Sequence, residues 1–488
     1  MNHQTQKRPN LLYIHSDQHN SAIAGCCGDP LVQTPNLDSI AERGVVLENA
    51  YCASPICVPA RMSMLTGRHP YENRAWTNSH TLDSGIPTFA HAMGAAGYSP
   101  VLIGRMHSIG PDQLHGYVDR LVGDHSPNHP GNKGVDHGML SGTAGPARIS
   151  LEKSGIGQSA YQVHDEDVTA ATVDYLNRLG VRKRAGVLEN PFSLSVGFML
   201  PHQPFVARRA DYELYQDKMT MPGCPEPFSD RLHPYFQWWR ERCGIVEVSE
   251  EEILRARTAY WALVTRMDMM IGEILIALRK NGLDNNTLIL YSSDHGEQLG
   301  EHGLWWKQTF YDGSAGIPAI LSWPGVLPER VRCDRVISSL DLNATMLDAL
   351  NAPPLPDSHG RSLLPLLCDS NAEWEDVAFS EYCTDEDCFH RMIREGDWKL
   401  NYYHEQPPQL FNLREDPHEL HDRAGDETCR EVRETLTQKV LDGWDPELIR
   451  EQMISKRADT KLLRDWARHT QPREQYRWDL MPEMDYLD

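Results

Sequence analysis

Short continuous apolar runs alternate with helical periodicity along the first two-thirds of the chain. Asn10–Ser16 (NLLYIHS) is a nearly continuous apolar run, which is typical of a strand buried on both faces. Thr287–Ser293 (TLILYSS) predicts a second strand of the same kind. Between them, helical periodicity runs from about Glu250 to Lys280 and ends at Asn281-Gly282. This alternation predicts an α/β fold with a large, mostly parallel sheet sandwiched by helices.

Other segments carry clear helix and loop signals. Thr34-Pro35 predicts a helix start, with Thr34 as N-cap and Pro35 in the first helical position. That helix is predicted to end at Gly44. Residues 123–160 are rich in Gly, Ser, His and Asn and have little periodicity, so we expect a long loop or insertion. Segments of this kind often shape a substrate pocket.

The pattern changes after about Leu367. Arg391–Tyr403 predicts a hairpin, and Gln409–Leu413 predicts another short strand before polar, charged helices. We therefore predict a large domain over 1–367 and a smaller α+β domain with a tail over 368–488. The acidic, Trp-bearing end of the tail, Arg477–Asp488, suggests docking on a neighbouring subunit of a homo-oligomer.

Composition and charge exclude several classes of protein. The 488 residues are 40% hydrophobic and 24% charged, as in soluble globular proteins. With 47 Lys and Arg against 69 Asp and Glu, the net charge is 47 − 69 = −22, which disfavours nucleic-acid and anionic-membrane partners. No apolar run approaches the roughly 20 residues of a membrane helix. The polar start, Met1–Asn10, lacks a secretory signal, so we expect a cytoplasmic protein.

The eleven cysteines show no C-x-x-C pair, so no zinc ribbon or thioredoxin-type site is indicated. Most are expected to be reduced and structural, as in a cytosol.

Acidic residues follow two of the predicted buried strands. Asp17 comes after the first strand with Gln18 beside it, and Asp294 comes after the second with His295 beside it. Ligands of open α/β sheets bind beyond the carboxyl ends of strands, where the two carboxylates would converge. Either acid alone is better explained as a turn residue. The two together, with the cysteine motif below, predict a divalent-metal site.

Cys57 lies in Cys57-Val58-Pro59-Ala60-Arg61, and Leu65-Thr66-Gly67-Arg68 follows. From the residues alone, Cys57 has three readings: a buried structural thiol, a thiolate nucleophile at a helix N-terminus, or the precursor of a modified residue. A thiolate phosphatase loop would place an arginine six positions after the cysteine. Ser63 stands there, so the second reading is weak.

The motif resembles the maturation signature of the formylglycine-dependent sulfatases in the alkaline-phosphatase superfamily. The resemblance extends from Pro9 to about His421. It includes these segments: Asp17-Gln18, Thr34-Pro35-Asn36-Leu37, Gly104-Arg105-Met106-His107, Pro201-His202-Gln203-Pro204, Ser293-Asp294-His295-Gly296-Glu297 and Lys307.

The resemblance implies an alkaline-phosphatase-like fold and a modified nucleophile. A separate enzyme, a formylglycine-generating enzyme or an anaerobic maturase, would oxidise Cys57 to formylglycine. In such sulfatases one hydroxyl of the hydrated aldehyde is the nucleophile, and the other later expels sulfate by restoring the aldehyde. A sulfated serine would be hard to hydrolyse, whereas this route breaks a C–O bond without a second attack at sulfur.

The resemblance also implies a role for each matching residue. The implied metal ligands are Asp17, Gln18, Asp294, His295 and the matured Cys57. Arg61 is implied to orient the formylglycine hydroxyl, Arg105 to supply a fixed positive charge, and His107 to be the base that triggers aldehyde regeneration. His202 and Lys307 are implied to grip the sulfate and to protonate the leaving oxygen. Asn78 is implied to make a polar contact to the transferred group. Taken singly, a histidine is more often a structural hydrogen-bonder, and a lysine is more often a surface residue.

Three departures from the common family pattern affect the metal and the subgroup. Gln18 replaces an aspartate and His295 replaces an asparagine, which removes carboxylate charge and adds a nitrogen ligand. Calcium prefers oxygen ligands and remains our first expectation, but imidazole gives manganese some weight. Arg105 stands where lysine is usual. These changes resemble the subgroup of choline sulfatase and the phosphonate monoester hydrolases.

The expected substrate is a small sulfate monoester, either choline O-sulfate or a sulfated sugar or other organosulfate. A choline group needs aromatic faces and carboxylates. No matching tryptophan occurs between Val122 and Ala160, which leaves Trp305, Glu381, Asp385 and Glu386 as candidates. Two further hypotheses are a phosphonate or phosphate ester hydrolase on the same scaffold and a binding protein with a decayed site. The intact motif residues argue against decay.

Overall fold

The computed structural model describes residues 8–224, 232–369, 371–384 and 388–488. The strands of these residues, in chain order, are β1 Asn10–Asp17, β2 Val45–Tyr51, β3 Pro100–Gly104, β4 Asp119–Arg120, β5 Gly155–Gln158, β6 Ser193–Pro201, β7 Val206–Ala207, β8 Thr287–Ser293, β9 Ala319–Ser322, β10 Val331–Ser338, β11 Val377–Cys383, β12 Phe389–Glu395, β13 Trp398–Tyr403, β14 Gln409–Asn412 and β15 Tyr486–Leu487.

The α-helices of the same residues are α1 Pro35–Glu42, α2 Cys57–Thr66, α3 Pro70–Asn73, α4 Phe89–Ala95, α5 Ile149–Glu152, α6 Ala160–Arg184, α7 Arg209–Tyr212, α8 Pro234–Cys243, α9 Glu250–Lys280, α10 Asp312–Ala315, α11 Ser339–Ala349, α12 Leu364–Cys368, α13 Arg430–Leu441 and α14 Pro446–Thr470.

An eight-stranded sheet forms the centre of the molecule, in the order β10-β2-β9-β8-β1-β6-β3-β4. Its strands pair in parallel, except that β9 is antiparallel to both of its neighbours. In β1, Leu11, Leu12 and Ile14 are fully buried. Each such side chain contributes about 1.5–3 kcal/mol by leaving water, which explains the continuous apolar run of this strand.

Helices cover both faces of this sheet, as the sequence predicts. One layer contains α1, α6 and α9: helix α9 packs against both α1 and α6, helices α6 and α9 lie on β6, and α1 lies on β9 and β2. The other contains α2, α4 and α11, which also contact one another. Helix α9 begins with a capping box in which Ser249 and Glu252 satisfy each other's backbone N–H groups. The predicted α/β architecture is therefore confirmed.

The start of α1 differs from the sequence prediction in one detail. Thr34 occupies the N-cap position and Pro35 begins the helix, but the Thr34 side chain does not cap it. Its hydroxyl accepts a hydrogen bond from Gly25 N (2.8 Å) and donates to Asp38 (3.2 Å). The hydroxyl is thus used to connect the turn at Gly25 to Asp38 of the helix, and it is not available to cap the helix N-terminus. The helix itself ends at Glu42, two residues before Gly44.

The smaller antiparallel sheet follows the order β11-β12-β13-β14 and contains the predicted hairpin. Lys399 of this sheet is fully buried and pairs with Asp312 and Glu419, at 2.7 Å in each case. Burial raises the pKa of Glu419 to about 7 against the lowering effect of Lys399. This ion triad joins the smaller sheet to α10. The proposed domain limit at 367/368 stays a prediction.

The tail and the 123–160 segment form one substructure. Residues 123–160 are mostly irregular, as predicted, with only a short helical turn at Gly138–Leu140, α5 and β5. The tail lies against this segment of its own chain, and its strand β15 pairs with β5. The predicted docking of the tail on a neighbouring subunit stays a prediction. The tail's backbone and side-chain partners are supplied within the same chain.

All eleven cysteines are free thiols, and most are buried. This agrees with the expectation of reduced, structural cysteines. Among the described residues, no helix combines the length and apolar character that crossing a membrane requires.

Candidate active site

The predicted metal ligands converge at the carboxyl ends of two neighbouring strands. Strands β1 and β8 pair in register up to Ser16 and Ser293, so Asp17 and Asp294 emerge side by side. Cys57 enters from the first position of α2, and His295 follows Asp294. Ligand atoms of Asp17, Cys57, Asp294 and His295 all lie within 4.8 Å of one another, and all four residues are buried. The sulfur therefore faces the acidic cluster, as the precursor reading of Cys57 requires.

His295 presents an unshared electron pair to this cluster. Its Nδ1 donates to the Gly296 carbonyl oxygen (3.0 Å), which leaves Nε2 3.3 Å from the Cys57 sulfur and 3.6 Å from an Asp294 carboxylate oxygen. Burial lowers the pKa of His295 and keeps the ring neutral. A neutral imidazole held by a backbone carbonyl is the usual form of a histidine metal ligand. The donor set of two carboxylates, one imidazole and residue 57 thus fits a divalent cation.

Two arginines hold the Asp17 and Asp294 carboxylates in place. Arg61 is fully buried and bridges Asp17 (Nη2–Oδ2, 3.0 Å) and Asp294 (Nε–Oδ2, 2.9 Å). Arg61 also donates to His15 Nδ1 at 3.0 Å, whereas Arg105 binds the same Asp17 oxygen from the other side. Burial raises the pKa of Asp17, but Arg105, His202 and Arg61 outweigh it and hold that pKa well below its usual range. Asp17 is therefore a permanent anion.

Lys307 connects the reactive residue to the predicted proton donor. Its Nζ is 3.1 Å from the Cys57 sulfur, 2.6 Å from Gln18 Oε1 and 2.8 Å from His202 Nε2. His202 Nδ1 donates to the Gln203 carbonyl oxygen at 2.6 Å, so Nε2 accepts from the lysine ammonium. Burial and the Lys307 charge lower the pKa of His202 well below its usual value. The pair thus forms a proton-sharing unit beside residue 57.

Arg105 and His107 form the opposite wall, and both are tied to Asp124. Arg105 donates to Asp124 Oδ1 (2.9 Å) and to His107 Nδ1 (3.0 Å), while the His107 backbone N–H donates to Asp124 Oδ2 (2.7 Å). His107 adopts a left-handed conformation (φ 57°), which turns its ring towards the site. Burial and Arg105 lower the pKa of His107, whereas its hydrogen bond with Cys57 raises it.

Gln18 and Asn78 occupy less direct positions than the resemblance implies. The Gln18 amide oxygen accepts from Lys307, and its nitrogen donates to Gln203 Oε1 and to Glu297. In this structure Gln18 links Lys307 to a buried carboxyl, and its role as a metal ligand stays a prediction. Asn78 Oδ1 accepts from Val58 N (2.9 Å) and so fixes the first turn of α2.

Three functional neighbours were not identified from the sequence: Asp124, Glu297 and His15. Asp124 lies in the aperiodic 123–160 segment, where no pattern distinguishes it from a loop acid. Glu297 is fully buried, accepts from the backbone N–H groups of Leu299 and Trp306, and has a pKa raised by burial. Its place in Asp294-His295-Gly296-Glu297 was the only available signal.

Of the proposed choline-binding residues, the structure describes Trp305 and Glu381. Trp305 is core, 1% exposed and packed on Phe205 with ring centroids 5.8 Å apart. Glu381 is buried beside Arg391, and burial raises its pKa to about 8. Asp385 and Glu386 lie outside the described residues. The role of Trp305 and Glu381 as contacts of a choline group stays a prediction.

A cavity of about 640 Å³ is bordered by sequence neighbours of the site residues, although Cys57, Asn78 and Lys307 do not themselves line it. Its walls include the immediate neighbours of three site residues: Ile56 before Cys57, Thr77 and Ser79 around Asn78, and Gln308 after Lys307. Trp239, Arg242, Tyr382 and Thr384 supply further aromatic and polar lining. The cavity can accommodate the part of a small ester that is not transferred.

An α/β fold with a buried cluster of carboxylates, imidazole and a convertible cysteine, walled by fixed cations, defines a hydrolase of anionic esters. Residues 9–352 match the family model described as Sulfatase, and residues 300–444 match N-sulphoglucosamine sulphohydrolase, C-terminal. The first match covers well over half of the chain. The chain belongs to the sulfatase family and is a sulfuric ester hydrolase.

Curated relatives agree with this assignment. The choline-sulfatase of Rhizobium meliloti (strain 1021) is 32% identical, over 98% of this chain and 94% of the relative. An arylsulfatase of Clostridium perfringens (strain 13 / Type A) is 29% identical, over 87% of this chain and 92% of the relative. Arylsulfatase K of Danio rerio is 28% identical, over 89% and 84%.

Solved structures show the same fold. The phosphonate monoester hydrolase of Agrobacterium radiobacter superposes with a TM-score of 0.71 and 22% identity, over 89% of this chain and 95% of that one. A protein solved in complex with its substrate D-glucosamine-2-N,6-O-disulfate gives the same TM-score and identity, over 90% and 97%. At this identity, the likeness establishes the fold alone.

Proposed function

We propose that this sulfatase hydrolyses a small sulfate monoester through a formylglycine made from Cys57. The observation that carries the proposal is the position of the Cys57 sulfur, 3.1 Å from Lys307 Nζ and 3.7 Å from Asp17 Oδ1. A structural thiol has no need of buried charges around it. As a hydrated aldehyde, residue 57 would supply one hydroxyl to attack sulfur and a second to release sulfate. A formylglycine-generating or anaerobic maturase is the partner that this step requires.

The surrounding residues divide the remaining work. Lys307 and Arg105 place fixed positive charge where the sulfuryl oxygens gain negative charge. The leaving oxygen takes its proton from the Lys307–His202 pair as the S–O bond breaks: the Lys307 ammonium supplies the proton, His202 Nε2 relays it, and Lys307 is left as the neutral amine. His107 takes the proton of the second hydroxyl, so that the C=O bond forms while the C–O bond to sulfate breaks. Arg61 acts through Asp17 and Asp294 by fixing their orientation.

The four-residue cluster would hold a divalent cation, which supplies Lewis-acid stabilisation of charge on oxygen. Calcium is our first assignment because the carboxylates of Asp17 and Asp294 are hard oxygen ligands. His295 adds an imidazole and keeps manganese as the alternative. The absence of disulfides among the eleven cysteines is in keeping with the proposed cytoplasmic location.

The lining of the adjacent cavity supports a small leaving group with a hydroxylated or cationic face. Thr77, Ser79 and Thr384 offer hydroxyl groups, while Trp239 and Tyr382 offer aromatic surfaces. Such a combination suits either a sulfated sugar, by stacking and hydrogen bonding, or choline O-sulfate, by contact of its ammonium group with aromatic faces. The match with a choline-sulfatase over nearly the whole chain favours including choline O-sulfate.

A panel of esters tests this proposal. Protein co-expressed with a maturing enzyme would be assayed for sulfate release from 4-nitrophenyl sulfate, choline O-sulfate and glucosamine sulfates. An aryl phosphonate monoester provides the comparison, because a phosphonate monoester hydrolase shares the scaffold. We expect kcat/KM for the best sulfate ester to exceed that for the phosphonate at least about tenfold. Faster turnover of the phosphonate would replace the proposal with the alternative activity.

A further inference from the structure

The C-terminal tail is bonded directly to a residue that supports the active site. The backbone N–H of Trp478 donates to the Asp124 carbonyl oxygen at 2.9 Å, and Arg477 Nε donates to the His125 carbonyl oxygen at 3.0 Å. Asp124 is buried, and its carboxylate is the one that binds both Arg105 and His107. The tail thus reaches the catalytic wall through one intermediate residue.

The approach of the two backbones is unusually close. A Cβ added to Gly123 would lie 1.3 Å from the Tyr476 carbonyl oxygen, so only glycine permits this contact. The Trp478 indole packs edge-on against His164, with ring centroids 5.2 Å apart, and its Nε1 donates to Asp167 (2.8 Å). His164 in turn bonds to the Gly123 carbonyl oxygen at 2.9 Å. The segment next to Asp124 is therefore held between the tail and helix α6.

The far end of the tail is anchored independently. Asp485 is buried, accepts from the Ala160 backbone N–H (2.6 Å) and pairs with His137 Nδ1 (2.9 Å). The His137 ring packs against Tyr161, whose ring contacts that of His202 at a centroid distance of 5.9 Å. One end of the tail is thus connected to Arg105 and His107 through Asp124, and the other end is connected to His202 through His137 and Tyr161.

We propose that the tail, residues 472–488, is a positioning element of the active site. It fixes Asp124, and Asp124 in turn keeps Arg105 and His107 at their places around residue 57. The inference rests on the proposed function, since His107 matters here as the base of the sulfate-releasing step. Trp478 and Asp485 are positioning residues, because neither contacts the reacting atoms.

The proposal predicts a specific kinetic defect in Trp478→Ala. Loosening Asp124 displaces His107, so the second half of the reaction slows more than the first. We expect kcat to fall about 10- to 100-fold. In a rapid-mixing experiment with 4-nitrophenyl sulfate, nitrophenol release should run ahead of sulfate release by up to one equivalent per chain, because the sulfuryl group stays on residue 57.

Three variants separate positioning from simple loss of stability. Trp374→Ala is the matched control, since Trp374 is also half-buried and also donates one Nε1 hydrogen bond, to Val336 O at 3.0 Å. Below its unfolding temperature, Trp374→Ala should keep the wild-type kcat and the wild-type time courses of nitrophenol and sulfate release, without the early excess of nitrophenol (the burst) expected of Trp478→Ala. Trp478→Phe retains the ring on His164 and should recover most of kcat. Asp485→Ala, at the other anchor, should show the same burst as Trp478→Ala.

Each outcome bears on the inference separately from the proposed function. If the wild-type chain hydrolyses the sulfate and Trp478→Ala and Asp485→Ala match its kcat and show no burst, the inference is wrong and the sulfatase proposal stands. If both variants lose activity only in proportion to unfolded protein, the tail is merely structural and the inference is again wrong. If the matured wild-type chain hydrolyses no ester of the panel, the proposed function itself fails.

Discussion

Cys57→Ala is expected to reduce sulfate release from every ester that the wild-type chain hydrolyses by at least about 10⁴-fold. Alanine removes the only precursor of the proposed nucleophile, while Asp17, Lys307 and the other charged groups stay in place. Removal of a covalent nucleophile leaves only the contribution of binding and fixed charge. The measurement is sulfate release by ion chromatography, with bound metal quantified in the same samples.

Cys52→Ala is the matched control, because Cys52 is also buried and lies five residues earlier in the chain. Its sulfur is 3.9 Å from Ser380 Oγ, outside the metal-binding cluster. This variant should retain activity within about threefold of wild type at a temperature below unfolding. Wild-type chain produced without a maturing enzyme provides a second comparison and should be as inactive as Cys57→Ala. Turnover by that unmodified chain would contradict the assignment of Cys57 as a precursor.

Removing the divalent cation is expected to lower kcat/KM about 1,000-fold, corresponding to about 4 kcal/mol of transition-state stabilisation. The reason is electrostatic: without the cation, the charge that develops on oxygen in the transition state loses its Lewis-acid stabilisation, and Asp17 and Asp294 keep only their arginine partners. Chelation followed by titration with calcium or manganese gives the activity, and elemental analysis gives the metal content. Activity should return with one equivalent of the correct ion.

His295→Asn distinguishes the two ions. It replaces an imidazole by an amide oxygen, so the ratio of calcium to manganese affinity should rise relative to wild type. Asp38→Asn is a suitable control, since Asp38 binds the Cys26 backbone N–H and the Thr34 hydroxyl away from the cluster. Full activity in protein with far less than one equivalent of metal would exclude a role for the cation.

The architecture could be predicted because buried strands and helices require apolar residues at regular spacing, and this spacing is visible in the sequence. β1 and β8 are continuous apolar runs, and α9 combines helical periodicity with a clear start and end. The strand order, the antiparallel β9 and the path of the tail could not be predicted, because each depends on contacts between residues far apart in the chain. The tail shows this most clearly. Its Trp and Asp residues indicated a contact surface, but the sequence did not indicate that the tail packs against residues 123–160 of its own chain.

The candidate site was predicted to the extent that strand ends and motif spacing mark it. Asp17, Asp294, His295 and Cys57 were expected together, and the structure brings them together. Asp124 was missed because its role depends on its contacts with Arg105 and His107, which its sequence neighbours do not indicate. Trp305 and Glu381 were proposed from residue type alone, and nothing in the sequence indicated that both would be buried.

The central claim concerns the chemical state of residue 57 in the active enzyme, and one peptide reports it directly. Trypsin would release residues 44–61, which contain both Cys52 and Cys57. Mass spectrometry after thiol alkylation and hydrazide treatment should find one alkylated cysteine, at position 52, and one aldehyde derivative, at position 57. Two alkylated cysteines throughout a preparation that turns over sulfate esters at full rate would contradict the account.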